Sequence, residues 1–168
     1  MASRSDATDF GFRIVGSTAN DRRLVSWPAA FVAYCDCDDR AEVSRESYLS
    51  AFCFGEDFRQ HLAATGSTRG FAGPTWSAWL WLDIDRDDLD QATRDARRLA
   101  AGVADRYRLD GDELLLFFSG GKGFHLGLPL SVCGSPGPSP IFHRVCRRFA
   151  EAVAGSLSLT IDAGVYDA

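Results

Sequence analysis

The strongest pattern in the chain is an apolar run that ends in acid. From Trp76 to Asp85 it reads Trp-Ser-Ala-Trp-Leu-Trp-Leu-Asp-Ile-Asp, a stretch of strand length and composition. Side chains alternate along a strand, so Asp83 and Asp85 share one face, with roughly 6.6 to 6.8 Å between their Cα atoms. Trp79 and Trp81 fall on that same face, which predicts a covered surface, packed against an N-terminal lobe. About thirty residues on, Glu113 to Pro129 holds two short apolar runs joined by Ser119-Gly-Gly-Lys122-Gly123-Phe-His125, a predicted hairpin with a glycine-rich turn. Glycines in such a turn let the chain reverse tightly and let an anion approach backbone N–H groups.

Around these, Leu89, Ala92, Ala96, Leu99, Val103 and Tyr107 mark one face of a helix that Asp87, Asp88 and Asp90 precede or open, as a helix N-terminus favours. Asp110-Gly111 closes it. A second helix is predicted on Phe142, Val145, Phe149 and Val153, with Ser139-Pro140 as its start and Gly155 as its stop. Ser158 to Tyr166 reads as a last strand. The order from Trp76 is therefore β-α-β-β-α-β, an RRM-like or ferredoxin-like core in an α+β chain. In that unit the first and third strands are neighbours, which brings Asp83 and Asp85 to His125, with Asp162 on the fourth strand as a third carboxylate.

Before residue 76 the pattern is mixed. Phe10, Phe12 and Ile14 alternate with small or polar residues, and Trp27 to Tyr34 is a second apolar run, so two strands are expected. From Glu42 to Ala64 the positions Val43, Tyr48, Leu49, Phe52, Phe58 and Leu62 recur at helical spacing, and Gly55 predicts a break into two helices. A polar loop from Thr65 to Thr75 follows. The expected division is a small α/β lobe over 1–75 and the βαββαβ core over 76–168.

Composition changes the picture in several places. A chain of 168 residues with 46% hydrophobic and 24% charged residues is ordinary for a folded domain, which sets aside disorder and coiled coil. No apolar run approaches the length of a membrane span or a signal peptide, so a cytoplasmic protein is expected. Five cysteines (35, 37, 53, 133 and 146) form no secreted disulfide framework. Cys35, Cys37 and Cys53 with His61 fit no standard zinc spacing, and buried free thiols are the better reading. The net charge of −5 does not advertise a nucleic-acid binder, so any such contact must be local. Arg94, Arg97, Arg98, Arg106 and Arg108, with Arg144, Arg147 and Arg148, could track a template strand but read better as solvated helix faces. The last detail is sharper: of 18 basic residues the only lysine is Lys122. It lies inside the glycine turn, where a compact ammonium fits and a planar guanidinium would not.

Two carboxylates converging to about 4 Å repel by about 4 kcal/mol at an effective dielectric of 20. A divalent cation between them is the simplest resolution. The Ser-Lys-His turn is not a Walker loop, because no glycine lies five residues before the Gly-Lys pair and Gly123 stands where Ser or Thr would hold Mg²⁺.

The Asp-Ile-Asp strand end, the Ser-Gly-Gly-Lys-Gly-Phe-His-x-x-x-Pro hairpin and Ile-Asp-Ala-Gly-Val-Tyr-Asp near the end resemble the archaeo-eukaryotic primase superfamily, the primase-polymerases of plasmids, phages and repair ligases. The likeness spans residues 76–168. It implies that Asp83, Asp85 and Asp162 bind two Mg²⁺ or Mn²⁺ ions, with Asp167 as the fallback for the third acid. It further implies that Ser119, Lys122, Gly123 and His125 hold the triphosphate of an incoming NTP or dNTP. Single-stranded DNA template and primer are the implied partners, with a replicative helicase as a further candidate. Members usually continue with further strand and basic residues, whereas here six residues follow Asp162, so a core trimmed at its C-terminus is expected. The chemistry agrees: nucleotidyl transfer uses two metals about 3.5–4 Å apart, and carboxylates suit hard divalent ions. Two rivals use the same topology. One is a nucleotide cyclase-like enzyme, without template dependence. The other is a non-catalytic RRM-like module that binds single strands, which would carry aromatics where this chain has acids.

Overall fold

The computed structural model describes residues 12–16, 23–26, 48–119 and 121–166. Helices and small antiparallel sheets make it an α+β chain. It divides into two compact units, residues 1–76 with 137–141, and residues 77–136 with 142–168.

The first unit contains β1 (Phe12–Gly16), β2 (Arg23–Ser26), β3 (Tyr48–Leu49), β4 (Cys53–Phe54), helix α1 (Glu56–Thr65) and β5 (Thr75–Trp76). Its sheet runs β2-β1-β4-β5, with β3 also on β1. The expectation of two helices over 42–64 is corrected: residues 42–47 lie outside the described ones, and over 48–64 the chain forms two short strands followed by one helix. Helical spacing misled here because Tyr48, Leu49, Phe52 and Cys53 belong to two-residue strands separated by a tight bend, in which Ser50 Oγ donates to the Phe52 carbonyl at 2.7 Å. The helix starts after Gly55, as a break at that residue requires, and ends at Gly66, whose φ of +66° places it in the left-handed region that glycine tolerates. Phe58, 1% exposed, stacks on Phe54 at 4.2 Å and meets Phe71 edge-on at 4.9 Å, an aromatic cluster that anchors α1. Cys53 is buried and forms no disulfide. Phe10, the run 27–34, Val43, Cys35, Cys37 and Asp167 lie outside the described residues.

The predicted strand 76–85 is two strands. Trp76 pairs with Cys53 in the first unit, and β6 begins at Trp79. Ser77 makes the break: its hydroxyl accepts from Trp79 N at 3.1 Å and donates to Trp79 O at 2.8 Å, a local side-chain turn that competes with the ladder.

The second unit is built on β6 (Trp79–Asp85), helix α2 (Leu89–Tyr107), β7 (Leu115–Phe118), β8 (Gly123–Pro129) and helix α3 (Phe142–Ser156). The strand order is β6-β8-β7, antiparallel throughout. Leu80, Leu82, Ile84, Leu126 and Leu128 on one face of this sheet are 0% exposed. They pack under α2, which lies on β8 and β6, and α3, which lies on β6. Burying each such side chain contributes about 1.5–3 kcal/mol.

The helices differ from expectation in detail. Asp88 is the N-cap of α2, its carboxylate accepting from Asp90 N at 3.0 Å. Ala92, Ala96, Leu99 and Val103 are buried as predicted, while Leu89 is exposed, one turn before the helix reaches the core. On α3 the buried positions are Phe142, Cys146, Ala150, Val153 and Ala154, and Val145 is exposed. The helix begins at Phe142, not Pro140, and the Ser139 hydroxyl accepts from Ile141 N at 3.2 Å just before it. The last predicted strand is also corrected. Residues 158–166 hold one bridge, Asp83 with Asp162, and a 3₁₀ turn over Gly164–Tyr166.

Candidate functional site

The site is legible as rows across the sheet. Paired residues of antiparallel strands share a face, and one row reads Asp162, Asp83, His125, Phe117. The next reads Asp85 and Gly123, and the row below reads Trp81, Gly127, Leu115. The same alternation that buries Leu82 and Ile84 on the helix side turns Asp83 and Asp85 to the opposite face. His125 Nε2 stands 3.5 Å from Asp83 Oδ1.

Two glycines in β8 make room for these neighbours. A Cβ on Gly123 would lie 2.2 Å from the Ile84 carbonyl oxygen and 3.1 Å from Asp85 Oδ1, so glycine is required there by close approach to the acid-bearing end of β6. A Cβ on Gly127 would lie 2.9 Å from the Trp81 ring. That ring therefore lies across β8, 5.9 Å from Phe117.

The turn between β7 and β8 is closed by Ser119. Its N–H donates to the Gly123 carbonyl at 2.9 Å, and its Oγ accepts from Gly123 N at 3.1 Å. The Gly123 amide is thus held by Ser119, and the Ser119 hydroxyl keeps its proton for an acceptor elsewhere. Lys122 extends toward the acids, its Nζ 3.7 Å from Asp85 Oδ2 and 3.9 Å from Asp87 Oδ1. These groups are well exposed, so the pairing contributes little to stability and leaves the ammonium accessible.

Asp162 reaches the site through a short fastening. Its N–H donates to the Asp83 carbonyl at 2.8 Å, and two carbonyls along β6 the Tyr166 hydroxyl donates to Trp81 O. A phenol here does what a strand amide would otherwise do. Tyr166 is 2% exposed, and burial pushes its hydroxyl pKa far above the ordinary range, with the thiol of Cys146 and the carboxylate of Asp83 adding to the effect. The Asp162 carboxylate accepts from Gly164 N at 2.8 Å.

Three residues near the acids carry structure that the sequence reading did not single out: Tyr166, Arg86 and Asp95. Arg86 directly follows Asp85. Its Nε donates to Asp95 Oδ2 at 2.8 Å, its Nη1 to the Asp85 carbonyl at 2.8 Å, and its Nη2 to the Thr160 carbonyl at 2.9 Å. The guanidinium thus ties the end of β6 to helix α2 and to the segment that carries Asp162. Gln91 Nε2 donates to the other Asp95 oxygen at 2.9 Å. Burial would raise the Asp95 carboxyl, but the hydrogen bonds from Arg86 and Gln91 outweigh it and hold the pKa below the ordinary value. An acid at a buried position of a helix otherwise lined by Ala and Leu was the available signal.

Asp83 is perturbed in the opposite sense. Burial raises its carboxyl pKa, His125 pulls it back, and the charges of Asp162 and Asp85 push it up again. The carboxylates of Asp83, Asp85 and Asp162 offer hard, negatively charged oxygen donors, the ligand chemistry that suits Mg²⁺ or Mn²⁺. Among the described residues no group of three or more His, Cys, Asp or Glu side chains is gathered closely enough to hold a metal ion. Asp162 is turned onto Gly164 instead. Among the described residues no helix is long and apolar enough to cross a membrane. Compared with protein-family models, with curated proteins and with solved structures, the chain matches none.

Proposed function

We propose that the second unit is the catalytic core of a metal-dependent nucleotidyltransferase, a primase-polymerase that joins NTPs or dNTPs on a single-stranded DNA template. The observation that carries this reading is the single row Asp162, Asp83, His125, with Asp85 and Lys122 beside it. Strand order β6-β8-β7 with Asp162 bridged to β6 supports the finer fold reading, a ferredoxin-like sheet whose fourth strand is reduced to one bridge.

In this reading Asp83, Asp85 and Asp162 hold Mg²⁺ or Mn²⁺, which when bound supplies Lewis-acid stabilisation of phosphoryl oxygens. The chain's own groups do the rest. His125, adjacent to Asp83, donates to a phosphate oxygen, and Lys122 neutralises the triphosphate from the turn. The Ser119 hydroxyl donates at the turn's base. Arg86 keeps Asp85 and the Asp162 segment in register, a positioning part with all three donor nitrogens committed within the chain. The primer, the template and a replicative helicase are the partners this activity calls for.

The test is titration of a labelled NTP into the protein with Mn²⁺, with Mg²⁺ and with EDTA, for wild type, Asp83→Ala/Asp85→Ala and His125→Ala. Metal-dependent binding lost in both variants is the expected outcome, followed by template-directed primer extension. Binding indifferent to metal and to both variants overturns the assignment. Metal-dependent turnover of nucleotide without template would favour the cyclase-like rival.

A further inference from the structure

We infer that divalent metal and nucleotide bind at the three acids with positive coupling, because each must displace the same internal contacts. The inference rests on the catalytic reading above and adds how that site is regulated. Each acid has a donor of the chain beside it. His125 Nε2 stands 3.5 Å from Asp83 Oδ1, Lys122 Nζ stands 3.7 Å from Asp85 Oδ2, and Gly164 N donates to Asp162 Oδ1 at 2.8 Å. The oxygens suit a hard divalent ion, yet among the described residues no three such side chains are gathered to hold one. Both observations follow if the carboxylates are committed to these donors and are released by exchange.

The exchange needs side-chain motion alone. Asp162 keeps its backbone place through its own N–H on the Asp83 carbonyl, and the Tyr166 hydroxyl fastens the following turn to Trp81 O. The Asp162 side chain is exposed and can leave the Gly164 amide to water. Lys122 is anchored in a similar way. Its carbonyl accepts from Arg86 N at 3.1 Å, which holds the turn against the end of β6, while its ammonium is exposed and lies 3.9 Å from Asp87 Oδ1 as well. Asp87 therefore offers the ammonium a second seat when Asp85 is taken.

Two of the three donors carry the coupling. His125 and Lys122 lie against acids in this structure and are also the groups read as triphosphate ligands. A phosphate that draws them away bares Asp83 and Asp85, and a cation on those acids frees both donors for phosphate. Linkage makes the two effects equal. Lys122 accordingly acts with opposite signs. Its charge opposes a cation at Asp85 when nucleotide is absent, and it favours nucleotide once the acids are neutralised. The Gly164 amide competes with the cation for Asp162 and is no part of the phosphate turn.

Mn²⁺ binding to the full chain without nucleotide, followed by the free-ion EPR signal at low ionic strength, tests the inference, with labelled NTP titrated afterwards at saturating Mn²⁺. Lys122→Met should bind Mn²⁺ about fivefold or more tighter, and nucleotide at least about fivefold weaker, the lower end of typical coupling. Gly164→Pro removes the amide donor at the first position of a 3₁₀ turn, a place that suits proline. It should also tighten Mn²⁺, and the gain should vanish in an Asp162→Asn background. Unchanged circular dichroism separates these effects from misfolding. Mn²⁺ affinity left unchanged or lowered by Lys122→Met overturns the coupling, and if Asp83→Ala/Asp85→Ala still abolishes Mn²⁺ binding the catalytic reading stands without it. Mn²⁺ binding indifferent to the loss of both acids overturns the reading and the coupling together.

Discussion

The two faces of the β6-β8-β7 sheet are made by the same residues in alternation and have opposite properties. On the helix side Leu80, Leu82, Ile84, Leu126 and Leu128 are fully buried under α2 and α3. On the other side the same two strands present Trp79, Trp81, Asp83, Asp85 and His125. The first face makes the unit fold. The second holds a part-buried acid: burial above all raises the carboxyl pKa of Asp83, with Asp162 and Asp85 adding to it and His125 opposing. Stability and chemistry are thus separated by a one-residue step along a strand, and a slip of one residue in register would exchange them.

That contrast can be broken most severely from the buried side. Leu82→Ala removes a side chain with no exposed surface and is expected to cost about 2–5 kcal/mol, read as a lower denaturation midpoint with an unchanged slope. Next comes the tie between the faces. Arg86→Met leaves the Asp95 carboxylate, 8% exposed, with Gln91 alone, and a loss of about 1.5–3 kcal/mol is expected for a charged hydrogen-bonded pair. The pH dependence sharpens this. The folded pKa of Asp95 lies below its unfolded value, so its contribution is fully present above the unfolded pKa and is lost as pH falls through the folded one. Wild type and Arg86→Met should therefore converge in stability in acid, and a constant gap down to low pH would contradict the pairing.

The acid face predicts the reverse sign. The folded pKa of Asp83 is raised, so its charged form opposes folding above that pKa, and the penalty fades as pH falls through it toward the unfolded value. Asp83→Asn should therefore stabilise the protein near neutral pH by about 0.5–2 kcal/mol, the range common for single stabilising substitutions. Thermal melts with and without Mn²⁺ check it: the metal should raise the wild-type midpoint and move the variant little. The smallest effect is at the edge. Leu116→Lys, at a half-exposed position, should change unfolding free energy by no more than about 0.5 kcal/mol.

What could be read from the chain beforehand followed from strong periodicity. The acids of β6 share a face, their strand lies beside the one that carries His125, and α2 buries Ala92, Ala96, Leu99 and Val103, all from patterns of two and 3.6. The misreadings fall where elements are too short for a period. Tyr48–Leu49 and Cys53–Phe54 are two-residue strands, and Ser158 to Tyr166 keeps one bridge. On α3 the core takes Cys146 and leaves Val145 exposed, a choice between adjacent apolar positions that spacing alone does not make. Arg86 and Tyr166 were illegible for another reason. Their partners, the carbonyls of Thr160 and Trp81, are backbone atoms far along the chain, and side-chain identity says nothing of them.

The fastening of Asp162 also sets an order in time. The hairpin of β7 and β8 closes over four intervening residues, but the Tyr166 hydroxyl meets the Trp81 carbonyl across 85 residues. Contacts so distant in sequence form late, after local ones have reduced the entropy of closing the loop. During synthesis the sheet, both helices and two of the three acids emerge before the residue that completes the row. Nascent chains would pass through a folded stage that lacks the third carboxylate, and the row would close only once Tyr166 docks.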